Sequence, residues 1–304
     1  MEAPVEQKGE VTMKLGICEW VLPIKGPSLF PKLKELGIDG IQVDDWDGHA
    51  ACNPMCDPYV QSLYLENADK YGIEMISMGG NALGKEGGMI HAPYSAVGEQ
   101  CMDTFRHGID ACHAMNIPVY LAPAFFAGFP MTVKDRANIA LNLRTACEYA
   151  EDKNVCVAFE SAYSAEQVIA LAEEVSHPNF RVFYDTQNPA TFCGICVAED
   201  IIKLGRERIV QIHIKDGVES IHGSVYLGTG DTGFRGAAEA IRKIGYDGWL
   251  VLENSYSKPH FRSNETDPWE RIAMDVKLAC ELFKQTAVCR RQEEGGNRLS
   301  CLDQ

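Results

Sequence analysis

The sequence predicts a single-domain α/β fold, a (β/α)8 TIM barrel, and three observations lead there. Eight short apolar runs alternate with eight runs of helical period, an order that calls for a parallel sheet joined by crossover helices. The 304 residues hold one barrel of about 250 residues with short extensions. The alternative, an open doubly wound sheet, carries a Gly-x-Gly-x-x-Gly turn after its first strand. None follows residues 15–20, and the polar strand ends are spread over many strands instead of one switch point.

In chain order, residues 15–20 form a first strand and 28–37 an amphipathic helix stopped by Gly37. The second strand begins at Gly40 and gives way to a polar turn over 44–49, and 58–71 are helical in period with Gly72 as the stop. A third strand at 73–78, a glycine-rich loop at 79–88 and a long helix at 96–115 follow. Then come strand four at 117–123, a helix at 132–152 and strand five at 155–160. Ser164 caps the next helix ahead of Val168, Ile169 and Leu171. Strand six ends at Asp185, and a short helix at 199–204 leads into strand seven at 209–216. A helix at 233–244, strand eight at 248–253 and a closing helix at 269–286 complete the set. The barrel is expected over 14–286, between flexible tails at 1–13 and 287–304 that lack hydrophobic period.

Lys and Arg number 28 against 43 Asp and Glu, a net charge of -15 that repels a nucleic acid backbone. No apolar run approaches the roughly 20 residues that span a bilayer. The first ten residues carry no basic start followed by an apolar core, so twelve cysteines point to free thiols in a reducing, cytoplasmic setting. Cys18, Cys112 and Cys156 fall inside apolar or helical patterns and read as small core residues.

Strand alternation sorts the seventh run into Val210, Ile212 and Ile214 on one face and Gln211, His213 and Lys215 on the other. Likewise Cys156, Ala158 and Glu160 share an inward face, as do Trp249, Val251 and Glu253. Barrel chemistry sits at the C-terminal strand ends, which here bring Glu160, Asp185, His213 and Glu253 together. Three converging carboxylates repel, and one divalent cation resolves the conflict. An oxygen-rich set with one imidazole favours Mn, with Mg, Co or Zn as alternatives. Any one of these residues alone would read as a helix cap or a loop salt bridge; four at successive strand ends read as a metal site.

Glu160, Asp185-Thr186-Gln187-Asn188, His213-Ile214-Lys215-Asp216 and Glu253, with the glycine-rich residues 227–234 between the last two, resemble the xylose-isomerase-like TIM barrels grouped as sugar phosphate isomerases and epimerases. The resemblance covers residues 14–285. It implies that Glu160 and Glu253 bind metal and also move a proton on opposite faces of the substrate carbon, as in the ketose 3-epimerases, while Asp185 and His213 only hold metal. Those enzymes place a His where this chain has Asn188 and an Arg where it has Lys215-Asp216. The pattern is closer to members acting on oxidised glycosides, including 3-keto-glycoside epimerases and the larger subunit of bacterial C-glycoside deglycosidases, which works with a small partner subunit.

The implied activity is epimerisation or isomerisation of a sugar or keto-sugar by proton abstraction next to a metal-bound carbonyl, through an enediolate. The alternative is a lyase acting on 3-oxo-glycosides. The endonuclease branch of the fold uses more His and Asp ligands and a cationic surface, whereas this chain has eight His and an acidic balance. A noncatalytic sugar-binding subunit would have no need to keep so costly a cluster of like charges. Lys215 is expected to anchor an oxyanion, or else to pair with Asp216 or a loop carboxylate. Trp20, His91, Asn188, Lys215 and Tyr256 are the expected substrate contacts. The loop aromatics Trp20, Trp46, Phe125, Phe126, Phe129 and Tyr256 would stack on a sugar face or an aromatic aglycone, or simply close the top of the core. His113 lies within a helix and reads as structural, and the Cys193/Cys196 spacing has no second pair to complete a zinc site. No Lys or Arg cluster stands out at the strand ends, which favours an unphosphorylated substrate. Partners beyond the small-molecule sugar are expected to be a second copy or a small second subunit.

Overall fold

A computed structural model describes residues 13–46 and 53–283. Its strands are β1 (Lys14–Cys18), β2 (Gly40–Asp44), β3 (Glu74–Gly79), β4 (Val119–Pro123), β5 (Cys156–Glu160), β6 (Phe180–Asp185), β7 (Ile209–Ile214), β8 (Asp216–Val218), β9 (Ile221–Val225) and β10 (Trp249–Leu252). β1 to β7 and β10 close a parallel barrel in chain order, β10 returning to pair with β1, while β8 and β9 form a separate antiparallel hairpin. The helices are α1 (Phe30–Leu36), α2 (Pro58–Tyr71), α3 (Asn81–Glu86), α4 (Ala96–Ala114), α5 (Val133–Ala150), α6 (Ala165–Val175), α7 (Asn188–Cys193), α8 (Val197–Leu204), α9 (Phe234–Lys243) and α10 (Pro268–Phe283). The eight-unit alternation is therefore the barrel that the sequence predicts. The expected tails at 1–13 and 287–304 lie, apart from Met13, outside the described residues, as does the end of the 44–49 turn.

Local chemistry sets the helix ends. Gly37 and Gly72 adopt left-handed conformations at φ 76° and 63° and stop α1 and α2. Thr132 with Asp135, and Ser164 with Gln167, form reciprocal capping boxes that open α5 and α6. The barrel fills in layers. Gly16 and Gly40 are register partners, and a Cβ on either would come within 2.5 or 2.6 Å of Ile76, so their small size admits Ile76 and the Trp249 ring to the floor. Above them Ser77 Oγ donates to Gln211 Oε1 at 2.8 Å, and Gln211 Nε2 donates to the Ile76 carbonyl at 2.8 Å. Val157, Phe159, Ile212 and Ile214 alternate with these inward residues and are fully buried.

Three segments differ from expectation. The glycine-rich loop at 79–88 contains α3; Gly84 lets that helix lie against β4, since a Cβ there would meet Pro123 at 3.2 Å. α7 follows Asp185 directly, where sequence periodicity is too short to register. The seventh strand does not run on through Asp216 but breaks into the β8–β9 hairpin. Its turn residues Glu219 and Ser220 both take positive φ, 53° and 64°, without the Asn-Gly type of signal that usually announces such a turn. Among the described residues no helix is long and apolar enough to cross a membrane.

Candidate metal centre and substrate cavity

β5, β6 and β7 end at or just beyond Glu160, Asp185 and His213, and Glu253 follows β10 directly. One ligand atom from each of the four lies within 4.8 Å of the others. His213 Nδ1 is the hub, 3.3 Å from Glu160 Oε1, 3.4 Å from Glu253 Oε2 and 3.9 Å from Asp185 Oδ2. The opposite ring nitrogen, Nε2, is 2.7 Å from Gln42 Oε1. An amide oxygen only accepts, so Nε2 carries a proton and Nδ1 is the ring atom turned into the cluster. Asp185 is arranged in the same way. Its Oδ1 accepts from the backbone N–H groups of Gln187 (2.7 Å) and Asn188 (2.6 Å), leaving Oδ2 facing the cluster. His213 Nδ1 is buried without a hydrogen-bond partner, and Asp185 Oδ2 is buried with only the Lys215 ammonium beside it. An unpartnered imidazole nitrogen among three converging carboxylates, with an outer partner orienting the imidazole, fits a divalent cation.

Lys215 supplies the local counter-charge, its Nζ 2.6 Å from Glu253 Oε2 and 2.9 Å from Asp185 Oδ2. Burial opposes its charge, but Asp185 and Glu253 outweigh that and hold the ammonium firmly protonated. The two glutamates separate. Burial pushes Glu160 up, with Glu253 and Asp185 adding to the rise against the pull of His213. Glu253 meets the same burial, yet His213, Lys215 and the Trp20 N–H hold its carboxyl well below the usual range. His213 is raised because Glu253 and Glu160 overcome burial. Trp20 Nε1 donates to Glu253 Oε1 at 3.0 Å, and Asn188 Nδ2 donates to Glu160 Oε1 at 3.1 Å. Beneath them Cys18 donates to the Gln42 oxygen at 3.2 Å, and burial keeps its thiol protonated.

A cavity of about 500 Å³ opens above this cluster, with Glu160, Glu253 and Lys215 in its lining beside Trp20 and Asn188. The family model for the xylose isomerase-like TIM barrel matches residues 30–276. The chain belongs to that family. A 2-epi-5-epi-valiolone 7-phosphate 2-epimerase from an Actinoplanes species is 28% identical over 287 residues, covering 94% of this chain and 99% of the relative. An L-ribulose 3-epimerase structure superposes with a TM-score of 0.71 at 18% identity, over 93% of this chain and 97% of that one. A D-allulose 3-epimerase structure from a Methylomonas species gives 0.70 at 17% identity, over 89% and 98%. These structures share the fold.

As a member of this barrel family, the chain brings Glu160, Asp185, His213, Glu253, Lys215, Trp20 and Asn188 to one place. It does not bring His91 or Tyr256 there. His91 is exposed after the short turn Gly88–Ile90, where its carbonyl accepts from Asn142 Nδ2 at 2.8 Å. Tyr256 is fully buried, its hydroxyl donating to Asp275 Oδ2 at 2.9 Å. Position in a strand-end loop does not reveal which side chains turn inward. Of the loop aromatics, Trp20, Phe125 and Phe126 line the cavity, while Trp46 and Phe129 do not. Lys215 pairs with Asp185 and Glu253 and not with Asp216, which accepts from the N–H groups of Gly217, Gly228 and Gly230 and from the Thr232 hydroxyl, pinning the glycine-rich loop. Cys193 and Cys196 are exposed free thiols.

Sequence reasoning missed several lining residues. Lys25, Lys85 and Lys258 join Lys215 in the wall, which corrects the expectation of no lysine cluster at the strand ends. They come from separate loops, so no run of basic residues marks them. Lys25 pairs with Asp44, which also accepts from Asn81 Nδ2 at 3.1 Å. Buried Glu19 braces this rim by accepting from the N–H groups of Gly26 (2.7 Å) and Asp44 (2.9 Å) and from the Tyr64 hydroxyl (2.6 Å). Phe192 and His222 arrive on α7 and the β8–β9 hairpin. Burial and the nearby Lys215 charge lower the His222 pKa, keeping that ring neutral.

Proposed function

We propose that this chain is a divalent-metal-dependent epimerase or isomerase of a sugar or sugar-like ketone, working by proton removal beside a carbonyl. The observation that carries the reading is the placement of Glu160 and Glu253, two carboxylates from separate strands that face one cavity beside Asp185 and His213 Nδ1. The Actinoplanes relative is named as a 2-epimerase and two structural neighbours as 3-epimerases, which supports the reaction class.

Glu160, Asp185, His213 through Nδ1 and Glu253 would hold the cation, and Mn suits their oxygen-rich set. A bound dication supplies Lewis acidity toward a carbonyl oxygen and its neighbouring hydroxyl. Glu253, ionised and aimed by Trp20 and Lys215, takes the proton from the carbon, and the bonding pair moves toward the carbonyl oxygen to give an enediolate. Glu160, oriented by Asn188, returns a proton to the other face, and the configuration inverts. The Lys215 ammonium offsets the added negative charge. For a substrate of opposite configuration the two glutamates exchange roles.

The test is NMR of metal-reconstituted protein in deuterated water with a panel of free ketoses and a 3-oxo-glycoside. Solvent deuterium entering the carbon next to the carbonyl, with the skeleton intact, is the expected outcome. Aglycone release from the oxo-glycoside with no exchange into any ketose would replace epimerisation by elimination.

A further inference from the structure

We propose that His222, held in the cavity wall by Gln187, is the group that moves a proton between neighbouring oxygens of the substrate, so that the site shifts a carbonyl as well as inverting a carbon. The proposal rests on the functional reading above, because it starts from the enediolate. His222 lies on the β8–β9 hairpin and stands in the cavity lining with Glu160 and Glu253. The side-chain amide of Gln187 grips the backbone on either side of it, Nε2 donating to the Ile221 carbonyl at 3.1 Å and Oε1 accepting from the Gly223 N–H at 2.9 Å. Gln187 is fully buried, and its own N–H donates to Asp185 Oδ1 at 2.7 Å, so one residue ties the hairpin to the carboxylate cluster. Gly223, at φ 53°, lies so close to the segment after β10 that a Cβ would come within 2.8 Å of the Ser255 nitrogen, and its carbonyl accepts from that N–H at 2.9 Å. The Phe192 ring, 4.7 Å from the imidazole and inclined by 32°, packs on its face.

A ring so firmly placed makes no hydrogen bond of its own, for neither nitrogen has a partner among the described residues. Burial and the Lys215 charge keep it neutral, with a proton on one nitrogen and a lone pair on the other. The rest of the wall lacks that combination. Lys25, Lys85, Lys215 and Lys258 are ammonium donors without an acceptor lone pair, and the Asn188 amide does not titrate. Asp44 is paired with Lys25, and the two glutamates serve the carbon. In the enediolate one oxygen carries the negative charge and its neighbour a proton. The imidazole takes that proton on its bare nitrogen while its own N–H proton passes to the oxyanion, so the ring ends neutral as the other tautomer and the charge has crossed to the neighbouring oxygen. When a proton then returns to the former carbonyl carbon, the electron pair on that oxygen closes the new C=O. A proton returned instead to the original carbon, on the other face, gives the epimer. Exchange with solvent water resets the tautomer.

The test follows D-fructose, D-tagatose, L-ribulose and D-fructose 6-phosphate, each carbon-13 labelled at the carbonyl carbon, by NMR with metal-reconstituted protein in deuterated water. With wild type, the label is expected to turn from a ketone or hemiketal carbon into an alcohol carbon, while deuterium enters beside it. His222→Gln should lower the ratio of label conversion to deuterium entry roughly 10²-fold, the contribution of one positioned proton carrier. Gln187→Met keeps the backbone N–H that binds Asp185 but loses the grip on the hairpin, and should lower the same ratio with metal content retained. A merely structural role would slow both processes together and leave the ratio where it was. An unchanged ratio in His222→Gln overturns the assignment, and an unchanged ratio in Gln187→Met removes Gln187 as its positioning residue. Deuterium entry into a wild-type probe with no label conversion removes the role of His222 alone. Deuterium entry into none of the four probes removes the epimerase reading and this role with it.

Discussion

Lys215 Nζ lies 2.6 Å from Glu253 Oε2, joining the strand that carries the imidazole to the neighbouring strand that carries the proposed base. The contact is buried, so removing the ammonium leaves Glu253 and Asp185 without their local counter-charge. Lys215→Met is expected to lower turnover by roughly 10²- to 10³-fold, the cost of losing one preorganised charge. Metal content should stay near one ion per chain, because the four ligands are untouched. After chelation the variant should unfold at lower denaturant than the chelated wild type, by about 3–5 kcal/mol. Metal analysis, kinetics and urea titration check the three outcomes.

Glu253→Gln keeps the shape and the bond from Trp20 but cannot accept a proton. Turnover and solvent exchange should fall by at least about 10²- to 10⁴-fold, while circular dichroism stays unchanged. Retained exchange would remove Glu253 from the chemistry.

The tautomer of His213 depends on Gln42, whose oxygen lies 2.7 Å from Nε2. Gln42→Leu should weaken metal affinity by roughly 10- to 100-fold, as for other residues that orient a ligating imidazole. His213→Ala should lower metal stoichiometry outright. Equilibrium dialysis reads both, and unchanged stoichiometry in His213→Ala would displace it from the ligand set.

Asp275 carries a pH prediction away from the metal. Burial pushes its carboxyl up from 3.8 to about 7, against donors from the Leu227 N–H, Asn254 Nδ2 and the Tyr256 hydroxyl. A folded pKa raised above the unfolded one means the native state holds the proton more tightly. The contribution is complete below pH 3.8 and is lost as pH rises through about 7. Urea unfolding across that window should show wild-type stability declining relative to Asp275→Asn. The variant should be less stable overall at low pH, because its amide must turn an N–H toward a donor. Parallel curves would refute the assignment.

The four residues of the candidate metal site were legible because each combines two local signals, an apolar run of period two and a polar residue at its end. Trp20 and Asn188 were legible for the same reason, standing within three residues of a strand end. Tyr256 looks equivalent by that criterion and differs only in where the backbone turns it, whereas His91 stands well past the end of β3, beyond α3. Tyr256 is drawn into the core by Asp275, a residue 19 positions away. Phe192 and His222 escaped notice because α7 has six residues and the β8–β9 turn is closed by Glu219 and Ser220, too little pattern to read.

The sequence by itself determined the barrel and the convergence of Glu160, Asp185, His213 and Glu253, since strand alternation and the order of elements place those side chains without further information. Only the tertiary structure decided the tautomer of His213, the pairing of Lys215 and the composition of the cavity wall. Each depends on side chains far apart in the chain, Gln42 on His213, Lys25 on Asp44 and Phe192 on His222. Such contacts arise when loops of no regular period fold over the strand ends, and local residue patterns carry no record of which loop side chains then meet.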